Sequence, residues 1–183
     1  MVKLALYGLS GSGKSTSTLL IGQICSRRGI ACDTVKIAEP LYRLQSHLYG
    51  LLGQPAPPGS QDQILLRALA TQIRRIAPQF LADDFLHRVG RSTAVVVVND
   101  DLKDTDVDYP RLAAAGFRFL RITCDEATRA GRLAARPDLT QAPETPRTWR
   151  FDRITPDWSI DNTADGTDTL TARLSALVAE LVA

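Results

Sequence analysis

The sequence predicts an α/β fold of three layers, in which a parallel five-stranded sheet carries helices on both faces. Strand-like and helix-like segments alternate along the whole chain, which is typical of a parallel sheet. Residues 93–98 (TAVVVV) form an unbroken, mainly β-branched run, as expected for a central strand that is covered on both faces. Residues 2–7 (VKLALY) form a second buried strand, and a glycine-rich loop follows it at once.

Each predicted strand is a short apolar run, and the five strands cover residues 2–7, 32–37, 93–98, 117–122 and 158–161. The predicted helices have apolar residues at helical spacing, and glycine or proline bounds several of them. They cover residues 14–28, 40–52, 61–76, 79–90, 107–115, 125–135 and 168–182. The proline-rich residues 53–60 and the irregular residues 136–156 interrupt this pattern. Both stretches are predicted to be loops or lids.

Length and composition predict a single domain, residues 1–183, without a membrane segment. With 44% hydrophobic and 23% charged residues, the chain has no apolar run near the roughly 18–20 residues that span a bilayer. The N-terminus reads as a strand rather than a signal peptide, so we expect a cytoplasmic location. A net charge of +2 is too small to indicate nucleic-acid binding, and three cysteines without CxxC spacing are expected to be structural.

Residues 8–15 (GLSGSGKS) match the pattern GxxxxGK[ST] between a predicted strand and a predicted helix, which is the signature of a nucleoside triphosphate-binding loop. The glycines let the backbone approach an anion closely, and the amides of the loop and the first helical turn point at it. Lys14 adds charge near the β- and γ-phosphates, Ser15 a hydroxyl for Mg²⁺, and Thr16 one for the α-phosphate. ATP and Mg²⁺ are therefore expected. The predicted ATP-binding residues are Gly8, Ser10, Gly11, Ser12, Gly13, Lys14, Ser15 and Thr16.

Two common classes of protein with such a loop do not fit. A GTPase requires an NKxD-type motif, which the sequence lacks, and a motor or recombinase ATPase is normally larger. A small phosphotransferase remains, and such enzymes close an arginine-rich lid over the transferred group. The predicted lid arginines are Arg129, Arg132 and Arg136 on one helix face, followed by Arg147, Arg150 and Arg153. Arg132 and Arg136 are the predicted catalytic contacts.

A Mg²⁺ ion at this loop needs a carboxylate opposite Ser15. Asp100 comes just past the strand at 93–98, and the carboxyl ends of strands are where open α/β sheets bind ligands. Asp101 is its neighbour and could take the same role. The sequence therefore predicts a metal site made by Ser15 and Asp100.

With these motifs the sequence resembles the phage-type deoxynucleoside monophosphate kinase family. The resemblance is carried, in order, by GLSGSGKST (8–16), IAEPLYRL (37–44), LLRALATQIRR (65–75) and VVVVNDDLKDTDVDYPRLAAAGFRFLRI (95–122). It implies a P-loop NTPase fold, an acceptor-binding insertion at about 38–91 and a lid at about 129–157. The chain departs from the family pattern at Leu102, where the family has an arginine that contacts the substrate.

The resemblance also implies where the acceptor binds. The family opens its acceptor helix with a small residue, an acid and a proline, which match residues 38–40, and Tyr42 and Arg43 follow one turn later. Glu39 and Arg43 would then face the sugar, base or phosphate of the acceptor. Further along, a second group of side chains would grip the acceptor phosphate. This group consists of Arg67, Thr71 and Arg74.

The expected reaction is transfer of the γ-phosphoryl group of ATP to the phosphate of a nucleoside or deoxynucleoside monophosphate. Two alternatives stay open. In the first alternative, the acceptor is an alcohol, as in kinases for dephospho-coenzyme A, sugars or antibiotic intermediates, and Glu39 or Asp101 is the base. In the second alternative, the chain is a regulatory protein that hydrolyses ATP slowly. A homodimer is also open, because the apolar helices at 40–52 and 61–76 can pack within the domain or against a second copy.

Overall fold

Five parallel strands form one sheet in the order β2-β3-β1-β4-β5, with helices on both faces. The computed structural model describes residues 1–57, 59–141, 148–163 and 166–182, and only the backbone of residues 148 and 149. The predicted α/β fold class and parallel sheet are confirmed. The strands are β1 Val2–Tyr7, β2 Cys32–Thr34, β3 Val96–Asn99, β4 Arg118–Thr123 and β5 Trp158–Asp161.

Seven α-helices lie within the described residues, and each begins and ends within two residues of its predicted bounds. They are α1 Lys14–Arg27, α2 Glu39–Leu51, α3 Gln63–Ile76, α4 Phe80–Gly90, α5 Asp108–Ala114, α6 Glu126–Ala134 and α7 Asp168–Val182. A short 3₁₀ helix, Thr148–Arg153, precedes β5. Side-chain caps fix where α3 and α6 begin. The carboxylates of Asp62 and Asp125 accept hydrogen bonds from backbone amides in the first turns of these two helices.

The second and third strands differ from their predicted bounds. β2 ends at Thr34 rather than at Ile37, because the amides of Ile37 and Ala38 donate to the carboxylate of Asp101 instead of to a neighbouring strand. β3 begins only at Val96, although the apolar run that predicts it begins at residue 93. The sheet is therefore shorter on this side, and the chain after β2 is fastened to the end of β3 by a side chain.

Side chains alternate across the sheet and build two cores. On one face, Leu4 and Leu6 of β1 pack with residues of α1 and α7. On the other face, Ala5 and Tyr7 pack with residues of α4, α5 and the 3₁₀ helix. These four side chains have no exposed surface. The loop after β1 therefore starts from a strand that is buried on both faces.

The helices α2 and α3 contribute few buried residues to the second core. Leu41 of α2 belongs to that core, and four partly buried apolar residues of α3 pack against it. α2 has two buried residues, Leu41 and Gln45, and α3 has none. An ion pair between Arg74 and Asp108 connects α3 to α5. The role of residues 38–91 as an acceptor-binding insertion stays a prediction, as does the homodimer.

None of the helices in the described part of the chain is both long and apolar enough to cross a membrane. This agrees with the absence of a long apolar run in the sequence. A cytoplasmic location stays a prediction.

Candidate active site

The loop between β1 and α1 is shaped by its glycines. Gly8 and Gly13 have backbone φ angles of 142° and 101°, in the range that favours glycine. A Cβ on Gly8 would lie 2.1 Å from the carbonyl oxygen of Ile122, and a Cβ on Gly13 would lie 2.1 Å from the amide nitrogen of Asn162. Both positions therefore require glycine for space as well as for conformation, because the ends of β4 and β5 press directly on the loop.

Lys14 and the two hydroxyl residues after it stand at the N-terminus of α1. The Nζ of Lys14 donates to the carbonyl oxygens of Gly8 and Leu9, at 2.9 Å each. The first turn of α1 has no side-chain cap and no acidic residue, so its amides and Lys14 together form a positive site suited to phosphate. Ser15 and Thr16 are exposed, and within the described residues their side chains have no hydrogen bond.

The rest of the loop contacts α6 and the end of β5. A Cβ on Gly11 would lie 2.9 Å from the carbonyl oxygen of Arg129, and the carbonyl of Ser10 accepts from Nη1 of Arg129 at 3.2 Å. Ser12 is buried, and its carbonyl accepts from Nδ2 of Asn162 at 2.9 Å. The Ser12 hydroxyl is buried without a partner among the described residues. The phosphate loop is thus held from the side on which the lid is predicted.

Arg132 is the predicted lid arginine that lies against the loop. Its Nη2 donates to the carbonyl oxygen of Asn162 at 3.0 Å, and its Nη1 is buried with no partner among the residues described. That Nη1 lies 3.8 Å from the position of a Cβ built on Gly13. Leaving a buried guanidinium nitrogen unpaired is unfavourable, so this atom is suited to an anion that arrives at the loop.

The neighbouring arginines of α6 and its end are placed differently. Arg129 pairs with Glu126 and also reaches the phosphate loop. Arg136 is exposed, and its Nη1 lies 3.9 Å from the carboxylate of Asp138. The structure therefore brings Arg132, but not Arg136, against the phosphate loop.

The later lid arginines lie beyond the 142–147 gap in the described residues. Arg150 and Arg153 both pair with Asp106. Arg147 was predicted as a lid arginine and lies outside the described residues.

The chain after α6 contacts the segment that opens α3. Residues 138–140 are hydrogen-bonded to residues 62–64. The hydroxyl of Thr140 takes part in two of these bonds, and the carboxylate of Asp138 in a third. The Thr140 hydroxyl donates to Asp62 at 2.6 Å, and the Gln63 amide donates to Asp138 at 2.6 Å. The predicted lid and the predicted acceptor-binding insertion are therefore in direct contact.

Two aspartates at the carboxyl end of β3 have different environments. Asp100 is 3% exposed, and its Oδ1 pairs with Lys36 while its Oδ2 has no partner among the described residues. Asp101 accepts at both oxygens from the amides of Ile37 and Ala38, at 2.8 Å each. Burial raises the pKa of Asp101, and these amides oppose the rise. One carboxylate oxygen of Asp100 is therefore available to bind a ligand, whereas both oxygens of Asp101 bind the backbone of residues 37 and 38.

The residues present fit a Mg²⁺ ion that is brought in with ATP. Within the described residues, no group of three or more His, Cys, Asp or Glu side chains could hold a metal by itself. Mg²⁺ bound with a nucleotide takes most of its ligands from phosphate and water, so one or two protein oxygens suffice. The Oδ2 of Asp100, which has no partner in the described part of the chain, and the exposed hydroxyl of Ser15 would supply these.

The predicted acceptor residues of α2 lie near these aspartates. Burial raises the pKa of Tyr42, and the negative charges of Asp101 and Asp100 raise it further, so its hydroxyl stays protonated and can donate. Nε of Arg43 donates to Glu39 at 3.2 Å in a solvent-exposed pair. All three predicted residues of α2 therefore present polar groups that a ligand can reach or reorganise.

The predicted residues of α3 divide into two groups. Thr71 is exposed and Arg67 is half-buried. Arg74 instead donates twice to Asp108, at 3.1 and 2.8 Å, and its Nη1 lies 3.5 Å from Asp104. Because two buried carboxylates hold its guanidinium, Arg74 joins α3 to α5, and its contact with an acceptor stays a prediction.

A cavity of about 260 Å³ opens between the phosphate loop, the end of β4, α6 and the 3₁₀ helix. Gly8 and Leu9 line it from the loop, Arg121 from β4, Arg129 from α6 and Phe151 from the 3₁₀ helix. The cavity lies directly beside the phosphate loop.

Sequence reasoning missed three polar residues of this region, Lys36, Arg121 and Asn162. Lys36 pairs with Asp100, Arg121 lines the cavity, and Asn162 holds the loop. Lys36 and Asn162 follow the carboxyl ends of β2 and β5, and Arg121 lies two residues before the carboxyl end of β4. The rule that drew attention to Asp100 would have found them if it had been applied to every strand.

Comparison with known proteins supports the same fold. No protein-family model matches the chain, and no curated protein matches it in sequence. Its structure is similar to the APS kinase of Mycobacterium tuberculosis with AMPPNP and APS (16% identity, 97% of both chains, TM-score 0.53). It is also similar to the shikimate kinase of Acinetobacter baumannii in complex with shikimate, with 14% sequence identity, 98% of this chain and 94% of that chain covered, and a TM-score of 0.56. A third similar structure is the shikimate kinase of Bacteroides thetaiotaomicron, with 11% identity, 99% and 98% of the two chains covered, and a TM-score of 0.58. At such identities these likenesses establish the fold: the chain has the fold of the P-loop kinases.

Proposed function

We propose that the chain is an ATP-dependent kinase that transfers the γ-phosphoryl group of ATP to the phosphate of a nucleoside or deoxynucleoside monophosphate. The observation that carries the proposal is that a complete phosphate loop lies against Arg132, whose buried Nη1 has no partner among the residues that the structure describes. A phosphate site and a guanidinium held beside it are the two parts that phosphoryl transfer requires for charge stabilisation. The fold shared with kinases supports the same reaction.

In the donor site, Lys14 and the first amides of α1 bind the β- and γ-phosphates of ATP. Lys14 exchanges its present bonds to the carbonyls of Gly8 and Leu9 for phosphate oxygens. Arg132 binds the transferring group from the lid side. Ser15 and Asp100 would hold Mg²⁺, which when bound offsets charge on the donor phosphates.

The acceptor site lies toward α2 and α3, and its proposed residues are Glu39, Tyr42, Arg43, Arg67 and Thr71. An acceptor phosphate is already ionised, so no general base is needed. Its oxygen forms a bond to the γ-phosphorus while the bond from that phosphorus to the β,γ-bridging oxygen breaks, and ADP leaves. The contact of residues 138–140 with residues 61–64 supports a lid that excludes water during this step.

A second candidate is phosphoryl transfer to an alcohol of a small metabolite. It is favoured by Leu102, which is fully buried where the resembling family has a substrate arginine, and by Arg74, which is held by Asp108. Both facts reduce the groups available to grip an acceptor phosphate. Of the two carboxylates predicted as a base, Asp101 is bound at both oxygens, which leaves Glu39 as the base for this reaction.

A coupled ADP-release assay separates these candidates. The acceptors are the common ribo- and deoxyribonucleoside monophosphates, dephospho-coenzyme A and a set of sugars and hydroxy acids. We expect one nucleoside monophosphate to stimulate ADP release far above the rate with ATP alone. Stimulation by an alcohol only would replace the first candidate with the second, and slow ADP release that no acceptor changes would indicate a regulatory NTPase.

A further inference from the structure

Arg121 is a half-buried arginine that the proposed reaction does not yet use. It lies in β4 in register with Tyr7, the last residue of β1. It has no hydrogen bond or ion pair with any of the described residues. Its charge reaches the hydroxyl of Tyr7: burial raises the pKa of Tyr7 to about 12, and Arg121 opposes that rise.

Arg121 lines the same cavity as the start of the phosphate loop. Gly8 and Leu9 are part of the cavity wall, and their carbonyl oxygens hold the Nζ of Lys14. A molecule in this cavity would therefore lie beside the phosphate loop, on the side of β4. An anionic group of the acceptor bound there would lie next to the donor site, which phosphoryl transfer requires.

The charges around the cavity favour an anion. Arg129 also lines it, but Glu126 offsets its charge through two hydrogen bonds. Asp152 is a carboxylate on the wall, and it is exposed and forms no ion pair with Arg121 in the described part of the chain. No carboxylate of the described residues forms an ion pair with Arg121, and a guanidinium binds phosphate and carboxylate through paired hydrogen bonds.

We propose that Arg121 binds an anionic group of the acceptor, a phosphate or a carboxylate, in this cavity beside the phosphate loop, in addition to the acceptor contacts proposed on α2 and α3. The inference rests on the proposed phosphotransfer and names its substrate class: the acceptor is an anion rather than a neutral alcohol.

Chemical labelling tests this on the unaltered chain. Phenylglyoxal modifies accessible arginines, and mass spectrometry measures the rate at each one while AMPPNP and Mg²⁺ fill the donor site. The probes are inorganic phosphate and gluconate, with glycerol as the neutral control. We expect at least one anion to slow the labelling of Arg121 about tenfold, and glycerol to leave it unchanged. The exposed Arg91, which precedes β3, serves as the reference arginine.

Each result of the labelling has one meaning. Protection by phosphate supports an acceptor phosphate, protection by gluconate supports an acceptor carboxylate, and protection by both supports a general anion site. Protection by AMPPNP alone would place Arg121 in the donor site and overturn the inference. No protection by either anion would also overturn it.

The variant Arg121→Gln gives a second test through steady-state kinetics. We expect the KM of the acceptor to rise about 10- to 100-fold, with the KM of ATP nearly unchanged and a partial recovery in Arg121→Lys. Arg91→Gln removes the same charge at an exposed site and should change neither constant. An unchanged acceptor KM in Arg121→Gln would overturn the inference and leave the proposed function standing. Absence of turnover in the wild type with every acceptor would overturn the proposed function, while the labelling still decides the role of Arg121.

Discussion

The donor and acceptor sides of the site are built in different ways. The donor side, residues 8–16 with α6 and the ends of β4 and β5, is defined by backbone: two glycines with no room for a Cβ, and carbonyls that hold Lys14. The acceptor side, α2 and α3, presents side chains on helices of which one has no buried residue. A backbone site leaves a motif in the sequence, whereas a side-chain site on a helix surface does not. The difference explains why the cosubstrate can be inferred more securely than the acceptor.

The same contrast extends to ion pairs. On the donor side, a buried nitrogen of Arg132 has no partner within the described ranges. On the acceptor side, Arg74 is fully engaged by Asp108, and Arg43 by Glu39 at the surface. An unpaired buried group indicates ligand binding, and a paired buried group indicates stability. The predictions below separate these two roles, beginning with the largest expected effect.

Replacing Gly13 by Ala should weaken ATP binding by about 100-fold, because the new Cβ would overlap Asn162 at 2.1 Å and the backbone φ of 101° is strained for alanine. Gly22→Ala is the matched control, since Gly22 lies in α1 with nothing within 4 Å of an added Cβ. That control should keep ATP affinity and gain up to about 1 kcal/mol in stability. Calorimetric titration with ATP measures the first effect, and urea unfolding the second. Equal ATP affinities in the two variants would contradict the account of the loop.

Replacing Arg74 by Ala should lower the free energy of unfolding by about 3 kcal/mol at pH 7, because the buried Asp108 would lose its partner. Burial raises the pKa of Asp108 while Arg74 lowers it, so the variant's Asp108 should take up a proton more readily. The loss of unfolding free energy in Arg74→Ala should therefore shrink as pH falls. This loss appears only as pH rises through the raised pKa of Asp108, where the unpaired carboxyl group becomes charged. Urea unfolding at several pH values measures this.

The control for this prediction is Arg43→Ala, which breaks an exposed pair and should cost under about 1 kcal/mol. Arg43→Ala should change stability little and instead raise the KM of the acceptor, because Arg43 is a proposed acceptor contact. If the two variants were equally stable, the structural role assigned to the Arg74 pair would be wrong.

Replacing Arg132 by Ala should lower kcat by about 10- to 100-fold, with a smaller change in the KM of ATP, because the lost contact is strongest with the transferring group. Arg136→Ala should have a smaller effect, since Arg136 is exposed and does not reach the loop. Steady-state kinetics with saturating acceptor compares the two variants. A larger loss in Arg136→Ala would show that the lid closes further than this structure does.

The smallest expected effect concerns the contact between the lid and α3. Burial alone would raise the pKa of Asp62, but hydrogen bonds from Leu65, Thr140 and Tyr49 together lower it. A lowered carboxyl pKa adds stability that is present above the unfolded value near 4 and is lost as pH falls through the folded value. Asp62→Asn should therefore flatten the acid limb of the stability curve. An acid limb identical to that of the wild type would refute this role.

Much of the fold could be predicted because its signals are local. The continuous run at residues 93–98 and the periodic helices depend on neighbours in sequence, and their bounds agree with the structure to within a few residues. β2 was predicted too long, because its last residues bind Asp101, a contact that no local pattern reveals. Lys36, Arg121 and Asn162 were missed for the same reason: their roles come from residues distant in the chain.

The central claim is phosphoryl transfer from ATP through the phosphate loop, and γ-labelled ATP tests it most directly. The wild type and Lys14→Ala are incubated with the acceptor that best stimulates ADP release, and the labelled product is separated and counted. The account predicts that the label passes to the acceptor in the wild type and that Lys14→Ala transfers it about 10³-fold more slowly, with an unchanged melting temperature. Equal transfer by Lys14→Ala, or label that appears only as free phosphate in the wild type, would contradict it.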